Sequence, residues 1–130
     1  MMSSTFVFEH HDRPWSTNAE RSMHRMKRAA LVREWRQAFE MIGRSSKMKR
    51  LNPCHIDVMP VQPDRRWMAD VGACLPAAKA AIDGLVDAGV LDDDTPAEVL
   101  SIRFWPAEIV PGAKASLRVV VTPVQEISPG

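Results

Sequence analysis

Apolar side chains recur at helical spacing in the middle of the chain. Between Asp70 and the acids at 92–94, the apolar positions fall on one face of a helix. These positions are Leu75, Ala78, Ile82, Leu85 and Val86. Pro76 suits the first helical turn, and Gly89 suits the position just after the last one. We therefore predict a helix that packs on a core through this face and has acidic residues at both ends.

A second helical pattern covers residues 17–42. Thr17 and Glu20 have the spacing of a capping box, in which the threonine accepts from the first turn and the glutamate reaches back. Gly43 is predicted to end this helix. The predicted buried stripe contains Leu31, Trp35, Ala38, Phe39 and Ile42. Arg25, Arg28 and Arg36 lie off the stripe, which is typical of a solvent-exposed helix face.

Four short segments alternate between apolar and polar residues, as half-buried strands do. They cover residues 5–9, 54–59, 100–105 and 117–121. Pro60 and Pro63 are predicted to end the second strand. The resulting order is β-α-β-α-β-β within a single domain of residues 1–130. This order predicts an α+β (α/β) fold, in which a mixed four-stranded sheet carries two helices mainly on one face.

Length and charge add a second pattern. A chain of 130 residues with 45% hydrophobic content is typical of one globular domain. The formal net charge of +1 hides an asymmetry: residues 1–50 hold eleven Lys/Arg and five Asp/Glu, whereas residues 67–130 hold four and nine. Such a division favours a polyanion held over a metal-binding acid cluster, although it also arises where both halves present solvated faces.

The cysteines and the shortness of the apolar runs indicate where in the cell the protein is expected. Cys54 and Cys74 are too far apart for a metal or redox pair, which predicts reduced core residues. No apolar run approaches the roughly 18 residues that a membrane span needs. The N-terminal residues lack the apolar core of a signal peptide. We expect a soluble, cytoplasmic protein with no membrane partner.

Acidic and basic residues supply the candidate chemistry. If Asp70 and the acids at 92–94 meet, their carboxylates repel one another, and a divalent cation relieves that repulsion. Two loops carry clustered cations that suit phosphate binding: Arg44, Lys47, Lys49 and Arg50 in the first, Arg65 and Arg66 in the second. From the residues alone, each of these residues also has a structural interpretation. Asp70 can be a loop acid or a helix cap, the acids at 92–94 can form a solvated turn, and Lys79 can be a surface lysine.

One series of these residues is specific. Arg65-Arg66 precedes Asp70, Lys79 lies on the predicted helix with Asp83 after it, and the pair Asp93-Asp94 follows. The series resembles the RusA family of Holliday-junction resolvases, which is common in bacteria and phages. The segment 14–18 is similar to the proline-serine-asparagine loop that follows the first strand in that family.

The resemblance implies a Mg²⁺- or Mn²⁺-dependent endodeoxyribonuclease that resolves branched DNA, such as a Holliday junction, by paired nicking. It implies a homodimer in the bacterial or phage-infected host cytoplasm, because two coordinated nicks need two active sites. It assigns catalysis to Asp70, Asp94 and Lys79, and metal binding to Asp70, Asp93 and Asp94. The cations of the two loops are then the DNA-binding residues: Arg44, Lys47, Lys49, Arg50, Arg65 and Arg66.

The resemblance fails at one step. Gly72 and Ala73 stand where the family has an Asp and an Asn, so a carboxylate and an amide are replaced by groups that cannot bind a metal ion. Either a neighbour such as Asp92 or Glu98 compensates, or the metal binds weakly, or catalysis has been lost. The alternative functions are a non-catalytic DNA-binding module and a phage structural protein that binds a partner through exposed tryptophans. The candidate anchors are Trp15, Trp67 and Trp105.

Overall fold

A computed structural model of the protein describes residues 4–67, except the side chain of Trp67, and residues 70–124. Three α-helices and five strands follow one another along the chain. They are β1 (Phe6–His10), α1 (Thr17–Arg21), α2 (Arg25–Ser46), β2 (Cys54–Gln62), α3 (Leu75–Asp87), β3 (Val99–Phe104), β4 (Glu108–Ile109) and β5 (Ser116–Pro123). A single 3₁₀ turn, Arg65–Trp67, follows β2.

The strands form one mixed sheet in the order β1-β5-β2-β3. The pairs β1–β5 and β5–β2 are antiparallel, whereas β2 and β3 are parallel. The short strand β4 also pairs in parallel with β2, beyond the end of β3. The predicted α+β class with a mixed sheet is confirmed. The fifth strand was not predicted, because two residues are too few to show an alternating pattern.

One face of the sheet is covered by α2 and α3. Cys54, Ile56 and Val58 of β2 are fully buried, and their alternation with His55, Asp57 and Met59 confirms the predicted strand face. The other buried residues of this layer come from β1, β5 and the two helices; the largest are Phe8, Leu117, Trp35, Phe39 and Leu85. In contrast, Leu75, predicted to be buried, is 44% exposed at the start of α3.

Two glycines let α2 and α3 approach closely. A Cβ atom at Gly84 would collide with the carbonyl oxygen of Arg36 and lie 2.9 Å from the Cβ of Phe39. A Cβ at Gly43 would lie 2.8 Å from the Cβ of Ala88. The prediction that Gly43 ends the second helix is therefore wrong: it is a buried contact residue, and α2 continues to Ser46.

The predicted helix over 17–42 is two helices. Ser16, not Thr17, caps α1, since its side chain accepts from the backbone N–H of Ala19 at 3.0 Å. His24 caps α2 through Nδ1, which accepts from the N–H of Met26 at 3.1 Å. The two capping residues lie eight positions apart, so two separate helices begin here. A capping box at Thr17 and Glu20 predicts only one helix start.

The second strand also runs further than predicted. It passes through Pro60 and ends at Gln62. On one side of β2, pairing with β3 stops at Val58 and pairing with β4 starts at Val61. Pro60 lies in the gap between these two pairings. Because proline has no N–H, its position in the gap means that no hydrogen bond to β3 or β4 is lost.

Candidate functional site

The crossover from β2 through α3 to β3 decides which acids can meet. Asp70 follows the last residues of β2, and Asp94 precedes the first residues of β3. Because β2 and β3 are parallel, these two positions belong to opposite edges of the sheet. Between them, the 13 residues of α3 span about 20 Å. The structure therefore does not bring Asp70 together with Asp93 and Asp94.

No three-carboxylate metal site is assembled. Across residues 4–67 and 70–124, the structure contains no group of three or more His, Cys, Asp or Glu side chains arranged to hold a metal ion. Gly72 has a φ of +86°, so any other residue there is strained, although no atom lies within 4 Å of the Cβ position. The backbone at this step therefore suits glycine and disfavours the carboxylate of the family pattern.

The acids at 92–94 have different roles. Asp92 accepts from Arg50 Nε at 3.2 Å and from Asn52 Nδ2 at 3.3 Å, and its own N–H donates to Asn52 Oδ1 at 2.9 Å. Asp93 accepts from the N–H of Asp94 at 2.8 Å. Asp92 thus fixes the loop beside β2, whereas the side chain of Asp94 has no hydrogen bond to any part of the chain that the structure describes.

Glu98 is also structural. Its side chain accepts from the hydroxyl of Thr95, and its carbonyl oxygen accepts from the N–H of Cys54 at 2.9 Å. Asp92 and Glu98 therefore each form hydrogen bonds that hold the segment between α3 and β3 in place.

A different carboxylate lies close to the predicted catalytic residues. Asp83 follows Lys79 by one helical turn on α3 and is half-buried. Burial raises the pKa of Asp83; the charges of Asp94 and Asp87 raise it further, while those of Arg36 and Lys79 oppose the rise. Lys79, Asp83 and Asp94 thus form one electrostatic cluster, which we call the α3 cluster.

Asp83 was not among the predicted site residues. It lies in the segment that resembles the family, and the resemblance assigns it no role. The signal that would have found it is the i, i+4 spacing from Lys79, which puts an acid and a base on one helix face. The proximity of Asp94 was not readable from spacing, because it depends on how the chain returns after α3.

Arg36 borders the α3 cluster. Its guanidinium donates to both carboxylate oxygens of Asp87, at 2.5 and 2.9 Å. These hydrogen bonds hold the pKa of Asp87 below its usual value. The pair connects α2 to the last turn of α3 and is partly exposed, so it contributes less than about 1 kcal/mol to stability.

The predicted DNA-binding residues of the first loop are largely engaged within the protein. Lys49 Nζ donates to the carbonyl oxygen of Ala88 at 2.5 Å, and Arg50 pairs with Asp92. Arg44 lies 3.5 Å from the carboxylate of Glu40. Lys47, which ends α2 in the left-handed conformation, is the member of this loop whose ammonium has no partner among the described residues.

The second pair of predicted DNA-binding residues lies at the other edge. Arg66 pairs with Asp64 at 3.0 Å, and its hydrogen bonds lower the pKa of Asp64. Arg65 and Arg66 form the exposed 3₁₀ turn between β2 and Asp70. The six predicted cations therefore divide between the two edges instead of forming one surface.

Asp70 itself is exposed and lines a groove of about 440 Å³ at the edge where β2 ends. We call it the tryptophan groove, since Trp15 and Trp105 both line it. Trp15 is only 8% exposed, so the prediction that it is an exposed anchor is wrong. Trp105 is exposed, and the side chain of Trp67 lies outside the described residues.

The outer face of α2 is basic. Arg25, Arg28, Arg33 and Arg36 recur along it and surround an open surface groove with Met26 and Val32. This agrees with the prediction that Arg25, Arg28 and Arg36 lie off the buried stripe.

No helix within residues 4–67 and 70–124 is long and apolar enough to cross a membrane. No protein-family model and no curated protein matches this chain.

Proposed function

We propose that this chain is a RusA-like endodeoxyribonuclease that acts on branched DNA and depends on Mg²⁺ or Mn²⁺. One observation carries the proposal. Lys79 and Asp94, two of the residues to which the resemblance assigns catalysis, both act electrostatically on the half-buried carboxylate of Asp83, which lies one helical turn after Lys79 on α3. The proposed reaction centre is therefore the α3 cluster, and Asp70 belongs to a different surface.

The donor set of the α3 cluster suits a hard divalent cation. Mg²⁺ commonly takes one or two carboxylates and completes its shell with water and phosphate oxygens. Asp83 and Asp94 supply two carboxylates; the pKa of Asp83 is raised mainly by burial and further by the charge of Asp94, and a bound cation would offset both effects. A bound divalent ion would neutralise phosphate charge and supply hydroxide near neutral pH.

The protein residues have distinct tasks in this scheme. Asp83 and Asp94 would hold the ion. Lys79 would stabilise the charge that develops on the scissile phosphate. Lys47 and the basic outer face of α2 would hold the neighbouring DNA backbone by charge alone. A homodimer would place two such centres on a four-way junction, whose approximate two-fold symmetry matches paired nicking.

A second candidate is a DNA-binding module that no longer cleaves. Gly72 and Ala73 supply no ligand, and the left-handed backbone at Gly72 disfavours regaining one. A chain with this backbone and this basic helix would still bind branched DNA. The proposed setting of either activity is the cytoplasm of a bacterium or of a phage-infected host.

Cleavage of a synthetic four-way junction with Mg²⁺, and with EDTA in its place, separates the two candidates. We expect metal-dependent nicking that Asp83→Asn and Asp94→Asn each reduce by about 100-fold or more. Asp70→Asn is the matched control for the metal site, because it removes a carboxylate at the opposite edge; at saturating DNA it should nick within a few-fold of the parent and need the same metal concentration. Loss of nicking in Asp70→Asn, with Asp83→Asn active, would refute the α3 cluster as the centre.

Thermal unfolding gives a readout that is independent of catalysis. At about 100 times its dissociation constant, a metal ion stabilises the folded state by about 2.7 kcal/mol. We expect Mn²⁺ to raise the melting temperature of the parent and of Asp70→Asn, and to have little effect on Asp83→Asn. An equal rise in all three proteins would contradict metal binding at Asp83.

A further inference from the structure

The tryptophan groove is a concave surface that the proposed reaction does not use. It lies between the loop after β1, the end of β2, residues 70–74 and the segment that follows β3. Its volume of about 440 Å³ falls in the range of small-molecule sites, about 300–1,000 Å³. Three prolines and two tryptophans belong to the lining, and Arg13, Gln62 and Asp70 are its charged or amide side chains.

Trp105 is fixed in position although it is 44% exposed. Its indole N–H donates to Asp57 Oδ1 at 2.8 Å. The same carboxylate binds Arg103 through two hydrogen bonds of 2.8 and 3.1 Å, and the Arg103 guanidinium lies 5.8 Å from the Trp105 ring centroid. An exposed aromatic ring held in this way is already ordered before a ligand arrives, so less entropy is lost on stacking.

Trp15 is the second tryptophan of the groove, and its ring is also held in position, although it is largely buried. Its indole N–H donates to Glu20 Oε2 at 2.8 Å, and its ring meets that of Trp35 edge-on with centroids 5.7 Å apart. In both groove tryptophans the N–H is therefore engaged within the protein. The rings offer the groove aromatic surface and no hydrogen-bond donor, which suits a flat ligand that binds by stacking.

The charges near the groove favour a ligand that carries phosphate. Arg13 lines the groove, and Arg66, which pairs with Asp64, lies in the turn that leads from β2 to the groove residue Asp70. Asp70 is the one carboxylate among the lining residues. A carboxylate can accept from the exocyclic amine of a nucleobase, so the acceptor and the cations together match the amine and the phosphate of one nucleotide.

We propose that the tryptophan groove binds one unpaired nucleobase of a DNA strand, stacked on Trp105, with the adjacent phosphate near Arg13 and Arg66. The inference rests on the proposed function in one respect, namely that DNA is the substrate. A base that leaves the stack at a crossover, or that lies in a single-stranded arm, can enter such a groove, and base stacking on aromatic side chains is tolerant of sequence. Asp70 then has a role in holding a base and none in metal binding.

The test uses a single-stranded oligonucleotide of about eight residues with one 2-aminopurine, whose fluorescence is quenched on stacking, in the absence of divalent metal. We expect quenching by the parent protein and binding weakened by about 5- to 150-fold in Trp105→Ala, the range for loss of one stacked base. Trp105→Phe should retain most of the quenching because it keeps an aromatic face. Ile102→Ala, at a similarly exposed position of β3, is the matched control and should bind like the parent.

Each outcome decides the inference separately from the proposed reaction. Quenching that depends on Trp105 supports the groove even if four-way junctions are never cut. Junction nicking by the parent without 2-aminopurine quenching refutes the groove and leaves the nuclease proposal intact. Equal binding by Trp105→Ala and the parent also refutes it, as does displacement of the oligonucleotide by a proline-rich decapeptide at equal concentration.

Discussion

The two ends of β2 present different chemistry, although α3 connects them directly. Beside its first residues, Arg50, Asn52 and Asp92 bind one another, and the α3 cluster lies nearby. Beside its last residues, the tryptophan groove presents aromatic surface with few charges. The first surface suits a cation and phosphates, and the second suits a base. The comparison teaches that acids close in sequence to one helix need not share a site, because a parallel crossover carries its two ends to opposite edges.

The largest effect is expected from a substitution in the α3 cluster alone. Lys79→Ala should lower the rate of junction nicking by about 100-fold or more, since a preorganised cation at a developing phosphate charge is lost. Lys79→Arg should recover part of this rate because it restores the charge with different geometry. Single-turnover cleavage measures the effect, and gel shift in EDTA checks that DNA binding persists. An unchanged rate in Lys79→Ala would remove this lysine from the mechanism.

The next effect concerns the helix that holds the two ends apart. Gly84→Ala should destabilise the protein by about 1–3 kcal/mol, because the new methyl group collides with the α2 backbone at Arg36. Urea unfolding measures the change. Leu75→Ala, on the same helix at an exposed position, is the control and should lie within about 0.5 kcal/mol of the parent. Similar values for both variants would mean that the helices are not in close contact at Gly84.

A smaller effect separates free cations from engaged ones. Each phosphate contact contributes about −0.9 to the slope of log K against log salt on duplex DNA. Lys47→Ala should make the slope shallower by about 0.9, and Arg65→Ala should do the same from the other edge. Lys49→Ala should change it less, since its ammonium already donates to Ala88. A larger change for Lys49→Ala than for Lys47→Ala would contradict this assignment of the loop.

The smallest expected effect is the pH dependence of stability due to Asp83. Because its pKa is raised, the folded state holds this proton more tightly than the unfolded chain does. Stability therefore falls as pH rises from the ordinary carboxyl value through the raised one. Asp83→Asn removes the titration, so it should be more stable than the parent at about pH 7 and equal to it at about pH 3. A constant difference between the two proteins across that range would exclude the titration.

Several features were predictable from local pattern. Alternation identified β2 and its buried face, and helical spacing identified α3 with Gly89 just beyond it, where φ is +80°. These predictions succeeded because backbone geometry fixes the period of side chains within one element. The start of α1 and the end of α2 were misplaced, since competing caps and the contact at Gly43 are set by neighbouring elements.

By itself, the sequence determined the principal strands and helices, the sheet class and the chemical types available at each position, but not β4 or the division of residues 17–42 into α1 and α2. The tertiary structure alone decided which of those types meet. It separated Asp70 from Asp94, brought the charge of Asp94 to bear on Asp83, and engaged Asp92 with Arg50. The physical reason is that spacing along a chain constrains contacts within one element, whereas contacts between elements depend on strand direction and helix packing. The parallel pairing of β2 with β3 is what placed the acids on opposite edges.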